Sequence, residues 1–255
     1  SEGLGLGASD AVTNLAVDAG GRIWAAAPMP GVLLIVAPDG RLVRRMTGLG
    51  YLWRAVPRAD GSFWGLVLHS QSQTITNQVR LYDSTASRFS RVSLSPVLDT
   101  VNAASGQAWF AAMPNDGLAV TYLWSDRVAL VSAKGRVRVY RGIERREFPA
   151  MRSKATGLKV SGGAVTRVVV DSTARIASLA ASVDGDRLYV LFGGLRGAAG
   201  DHRTVDAYRL TDGRYLASYR LPENATALVV HHGVFILSVD TPAPAVKLWS
   251  WVPKP

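Results

Sequence analysis

A short phrase recurs along this chain and restricts what it can fold into. It first runs Asp18-Ala19-Gly20-Gly21-Arg22-Ile23-Trp24: an acidic residue, a glycine turn, then an aromatic that opens an apolar strand. It returns as Asp60-Gly61-Ser62-Phe63-Trp64, Ser105-Gly106-Gln107-Ala108-Trp109, Asp184-Gly185-Asp186-Arg187-Leu188-Tyr189 and, more loosely, His232-Gly233-Val234-Phe235. Each copy lies between runs rich in β-branched and aromatic residues, so each predicts a hairpin. A hairpin returning at long, similar intervals predicts a repeat architecture.

The flanking runs group into units of four short strands. The first unit has strands at 12–17, 23–27, 32–37 and 42–46, and the second at 52–56, 63–69, 79–83 and 89–94, with a polar loop over 70–78. A third has strands at 98–103, 108–113, 128–132 and 137–141, with a loop over 114–126. A later unit has strands at 176–182, 188–192, 204–209 and 215–221 around a glycine-rich loop at 193–203, and the last, at 225–231, 234–239 and 246–252, lacks a fourth strand. Residues 1–9 carry three glycines and read as a lead-in loop.

Spacing sets the number of units. The strand-opening aromatics stand at 24, 64, 109, 189 and 235, so the intervals are 40, 45, 80 and 46, and the third is about twice the others. A second marker, the turn between third and fourth strands at Asp39, Ser84, Lys134 and Asp212, leaves the same gap. Val168-Val169-Val170-Asp171-Ser172-Thr173 fills it, echoing Leu81-Tyr82-Asp83-Ser84-Thr85. Six units are therefore expected, the fourth degenerate over 142–173, where strands, an ordered loop and a short helix all remain open.

A four-stranded sheet alone exposes two apolar faces, whereas radial stacking buries them against neighbouring sheets and leaves short edges. The expectation is an all-β, six-bladed β-propeller filling 1–255 as one domain. The stretches Val12 to Trp24 and Val36 to Arg44 resemble a blade of the bacterial six-bladed NHL-like propellers, and Asp206 to Pro222 resembles their later blades. That resemblance implies the fold and is nearly silent on activity, because the family includes lactonases, lyases, carbohydrate or peptide binders and unassigned exported proteins. In such propellers a strand from one terminus usually completes the last blade. Here 1–9 makes a poor strand and 246–252 has no following partner.

Charge narrows the class of partner. With 29 Lys+Arg against 19 Asp+Glu the net charge is +10, which favours an acidic protein surface or an anionic ligand. The arginines form no polybasic block and no specific nucleic-acid motif. There are no cysteines, so thiol nucleophiles and cysteine zinc sites are excluded. No stretch reaches the roughly 18 to 20 apolar residues of a membrane-spanning helix. A chain beginning at Ser1 fits either a trimmed form or a mature exported protein, and the expected location is periplasmic or extracellular.

No catalytic constellation emerges. The four histidines, His69, His202, His231 and His232, are scattered, and the last two, adjacent on a strand, are expected to point to opposite faces. A gluconolactonase-like site needs oxygens converging on a divalent cation; Asp10, Asn14, Asn102 and Asp184 are the candidates for its metal ligands, with Glu2 a faint echo of that family's opening. No Gly-x-Ser-x-Gly elbow marks a nucleophile. Trp124, Trp249 and Trp251 are expected near an edge or surface, the strand-opening tryptophans between blades. The reading is a non-catalytic binding or scaffolding module without a cofactor, a subunit of a larger assembly, with loops 70–78, 114–126 and 193–203 carrying recognition. The alternative is a metal-dependent hydrolase, lactonase or lyase acting at the central channel, with a divalent cation.

Overall fold

The computed structural model describes residues 12–28, 31–71, 74–95, 98–99, 107–149, 151–160, 163–170, 175–193, 202–240 and 242–250. Strands β1 (Asn14–Val17), β2 (Ile23–Ala27), β3 (Val32–Val36) and β4 (Leu42–Met46) form the first blade, pairing in chain order as an antiparallel meander. The second blade is β5 (Tyr51–Pro57), β6 (Phe63–Gln71), β7 (Thr74–Tyr82) and β8 (Phe89–Val92); the third is β9 (Ala108–Met113), β10 (Gly117–Tyr122), β11 (Arg127–Val131) and β12 (Val137–Arg141). A two-stranded hairpin, β13 (Met151–Val160) and β14 (Gly163–Val170), comes next. The fourth blade is β15 (Ala180–Asp184), β16 (Arg187–Leu191), β17 (Thr204–Arg209) and β18 (Tyr215–Arg220); the fifth is β19 (Ala227–His231), β20 (Val234–Val239) and β21 (Ala245–Ser250).

The fold is an all-β propeller of antiparallel blades, but with five blades rather than the six expected. The miscount has a physical origin at Trp109. That residue lies on β9, the first strand of its blade, rather than opening the second. The second strand is β10, inside the segment expected to be a loop. Pro114-Asn115-Asp116 is only a tight turn, with Asn115 and Asp116 at φ 58° and 61°, and Gly117–Tyr122 is buried throughout. The expected first strand at 98–103 is not one at its start, since Leu98 and Asp99 sit in a helical turn. Measured between second strands, which start at Ile23, Phe63, Gly117, Arg187 and Val234, the intervals are 40, 54, 70 and 47. The longest one contains the β13–β14 hairpin instead of a whole blade. The marker at Asp171 lies outside the described residues.

The loop expected over 70–78 is also mostly strand. The β-branched Thr74, Ile75 and Thr76 lengthen the β6–β7 hairpin to nine residues on each arm, so only 72–73 separate them. Of the 193–203 loop only Gly193, His202 and Arg203 are described. The fifth blade has three strands among the described residues, as the sequence suggests, and 1–9 falls outside them.

By packing, the chain gathers into two compact units. One comprises Ser1–Ala103, Phe110–Val120 and Ala129–Val139; the other comprises Ala104–Trp109, Thr121–Val128 and Tyr140–Pro255. In the first, Trp24 of β2 meets Phe63 of β6 with ring centroids 5.8 Å apart, and Phe63 stacks on Tyr82 at 4.7 Å. These aromatics open or close strands, so the recurring phrase places a large ring where one blade packs on the next. In the second unit Tyr189 of β16 meets Phe235 of β20 edge-on at 5.6 Å, above a floor of Leu191, Val205 and Leu237. Rings of this size bury the most apolar area per residue, which is why they recur at the interface.

The acid of the phrase organises its own turn. The Asp18 carboxylate accepts the Gly20 and Arg22 N–H groups at 2.9 and 3.0 Å, the Arg22 Nε–H at 2.7 Å and the Trp24 Nε1–H at 3.0 Å. Burial raises its pKa, but the donors from Trp24, Arg22 and Gly20 outweigh it and hold the carboxyl below its ordinary value.

Candidate functional site

Two of the candidate metal ligands fasten blades together. Asn14 opens β1, and its Oδ1 accepts the Ala55 N–H of β5 at 2.9 Å. Asp184 ends β15, and its two oxygens accept the His232 and Gly233 N–H groups at 3.1 and 2.8 Å. Oxygens engaged in this way stabilise a neighbouring blade's backbone. Asp10, Asn102 and Glu2 lie outside the described residues. Among those described, no group of three His, Cys, Asp or Glu side chains is placed to hold a metal ion.

His231 and His232 do not diverge as adjacent strand residues would. β19 ends at His231, and His232 turns at φ 50°, which brings the two rings to 4.1 Å. Trp124 is not at the surface: it is buried. Trp249 packs edge-on against Phe235 at 5.3 Å, Trp109 donates its Nε1–H to the Ser178 carbonyl at 2.9 Å, and Trp251 is outside the described residues.

The feature with chemical character is a cleft within the second unit. Its wall is built by Thr121 at the end of β10, the Ser125–Val128 turn into β11, Glu144 and Arg146 beyond β12, Ala177 and Ser178 ahead of β15, and the β16–β17 pair. Side chains on β17 alternate between faces. Val205 and Ala207 go into the core shared with the fifth blade, while Asp206 and Tyr208 face the cleft. The cleft opens to solvent, and the space within it is ≈ 20 Å³, room for about one water-sized group. Seven polar or charged residues are buried among those described, and four of them, Thr121, Ser125, Ser178 and Asp206, line this cleft. Polarity buried so unevenly marks a site rather than scattered packing compromises.

The ionic groups fall into two kinds. Arg146 is satisfied: its guanidinium donates to the Ile176 carbonyl at 2.9 Å and to Glu144 at 3.1 Å, and lies 4.4 Å from the centre of the Phe192 ring. Arg127 donates to Glu147 at 2.8 Å, which also takes Arg141 at 2.7 Å. Asp126 and Asp206 make no ion pair among the described residues. Both oxygens of Asp126 are shut away from solvent, with no hydrogen bond among the described residues. Burial raises the Asp126 pKa; the backbone N–H groups of Arg146 and Arg145 and the Arg146 charge pull it down without closing a well-formed bond. Among the described residues Asp206 accepts the Ser218 hydroxyl alone, at 2.5 Å, and burial raises its pKa against that bond, with Glu144 adding to the rise and Arg146 opposing it. Burial likewise pushes Tyr208 well above the ordinary tyrosine value, with the charges of Asp206 and Asp126 adding to it.

None of these cleft residues stands out by motif. The one available signal was Asp206: an acid in the middle of an apolar strand, a position where aspartate is disfavoured unless something holds it.

No protein-family model matches this chain, and no curated protein does. Solved structures match at low identity. BBS1N in complex with ARL6DN aligns with a TM-score of 0.50 at 11% identity, over 95% of this chain and 66% of that one. Regucalcin, a calcium-binding protein from Agrobacterium tumefaciens str. C58, aligns at 0.49 and 13%, over 90% and 68%. Streptogramin B lyase aligns at 0.47 and 12%, over 98% and 86%. The neighbours are β-propeller proteins, and at such identity the likeness concerns the fold alone.

Proposed function

We propose that this chain is a non-catalytic binding or scaffolding propeller of the NHL-like kind, exported, whose partner presents an acidic surface. The observation behind this reading is where the positive charge stands. The outermost strand of each four-stranded blade carries exposed arginines: Arg44 and Arg45 on β4, Arg91 on β8, Arg138 and Arg141 on β12, Arg220 on β18. Charge held on sheet edges repels self-pairing of those edges and attracts anionic surfaces. The neighbours seen in complexes, BBS1N with ARL6DN and nidogen with laminin, are in keeping with a protein partner. The metal-dependent alternative draws no support from Asn14 or Asp184, whose oxygens are engaged by backbone N–H groups.

Fluorescence anisotropy with a labelled poly-glutamate peptide tests the reading. Binding is expected in low salt, to weaken steeply as salt rises, and to fall about tenfold or more when Arg44, Arg45 and Arg91 are all changed to Glu. Affinity indifferent to those changes would sink it.

A further inference from the structure

We propose that the cleft of the second unit is a binding site for a small organic cation, the ammonium end of an aliphatic primary amine. This is independent of the acidic-partner reading and concerns a different surface of opposite charge.

Local charge pairing is the first argument. Glu144 is taken by Arg146, and Glu147 by Arg127 and Arg141. On the same wall Asp126 and Asp206 make no ion pair among the described residues, although the Arg146 charge acts on both. Shielded carboxylates without an ion pair of their own are costly to hold, and a bound cation relieves them. The shielded, unbonded oxygens of Asp126 are the sharper observation, because buried acceptors are almost always satisfied and these are not.

Size and shape select the cation. A space of ≈ 20 Å³ has room for a group about as large as a water molecule, which suits –NH₃⁺. An ammonium carries three donors. Asp126 offers two oxygens and Asp206 its Oδ2, which takes no hydrogen bond among the described residues. Ala177, Val190 and Phe192 supply an apolar wall along which an alkyl chain would run outward. The cleft already holds one cation in this manner: Arg146 rests on the Phe192 face with a carbonyl and a carboxylate at hydrogen-bond distance. That arrangement is a recognition set for cations, built from the protein's own side chain.

The test uses n-butylammonium chloride as probe, with sodium chloride and tetramethylammonium chloride as controls, read by isothermal titration calorimetry on the whole chain. Saturable binding with Kd on the order of 1 mM is expected for butylammonium and none for the controls, one lacking the alkyl chain and the other N–H donors. Asp126→Asn and Asp206→Asn should each weaken binding at least about tenfold, with circular dichroism confirming that both remain folded. Asp186→Asn, at an exposed turn outside the cleft, should leave it unchanged. Two outcomes overturn the proposal: no saturable butylammonium binding, which leaves the cleft to a water, or binding that survives both cleft substitutions, which places it elsewhere on the surface.

Discussion

Single aspartates do three different jobs in this protein. Asp18 receives four hydrogen bonds and is held ionised; Asp184 spans to the next blade; the Asp126 oxygens are shielded from solvent and close no well-formed hydrogen bond among the described residues. The third case has a stability consequence whose sign follows from linkage. A carboxyl whose folded pKa is raised binds its proton more tightly folded than unfolded. Its contribution is therefore full below the unfolded value, near 3.8, and is lost as pH rises through the folded value. Asp126→Asn keeps the shape and removes the titration. In urea denaturation the variant is expected to be more stable than the parent by about 1 kcal/mol at pH 7 and equal to it near pH 3.5. Equal loss at both pH values would show that the carboxylate has a partner it needs. Arg145, Arg146 and Glu144 are the charged groups that act on it.

At the scale of the element, turns decide how blades meet. The β17–β18 turn carries Gly213 at φ 68°, and a Cβ there would come within 2.3 Å of the Tyr140 ring on β12. Left-handed backbone alone costs an L-residue about 1–2 kcal/mol, and the ring contact adds to it. Gly213→Ala is thus expected to lower stability by at least about 2 kcal/mol, measured by chemical denaturation, with the loss partly recovered when Tyr140→Ala is combined with it. Gly135, at a comparable positive φ but with open space about its missing Cβ, needs only the backbone conformation. The sequence places both glycines in turns; the ring against Gly213 arises from a strand over seventy residues earlier and has no local signature.

For the molecule as a whole, the hairpin of β13 and β14 stands apart from the blades. It forms its own two-stranded sheet and, among the described residues, joins no blade ladder. The chain leaves and re-enters at nearby points, since Arg146 donates to the Ile176 carbonyl and the Ala177 N–H donates to the Leu123 carbonyl at 2.6 Å. Replacing 150–174 with a Gly/Ser linker of about six residues should therefore preserve the β-sheet circular dichroism and a single cooperative melt, with Tm lowered by no more than about 5 °C. A broad, non-cooperative melt would mean that the hairpin is an integral part of the core. What the sequence by itself determined is the material of the fold: alternating strands, glycine turns with an acid to cap them, and large rings at the strand ends, all set by patterns a few residues long. Asp18 and Trp24, six positions from each other, are legible for that reason. Only the tertiary structure decided that the blades number five, that Trp109 belongs to a first strand, and that Asp126 and Asp206 line one cleft. The strand count failed at Gly117–Tyr122 because a run of apolar residues behind Pro-Asn-Asp has the same composition whether it is a loop or a buried strand. The cleft was invisible because its residues, from Thr121 to Tyr208, meet through packing between sheets, and spacing along a chain carries no record of that.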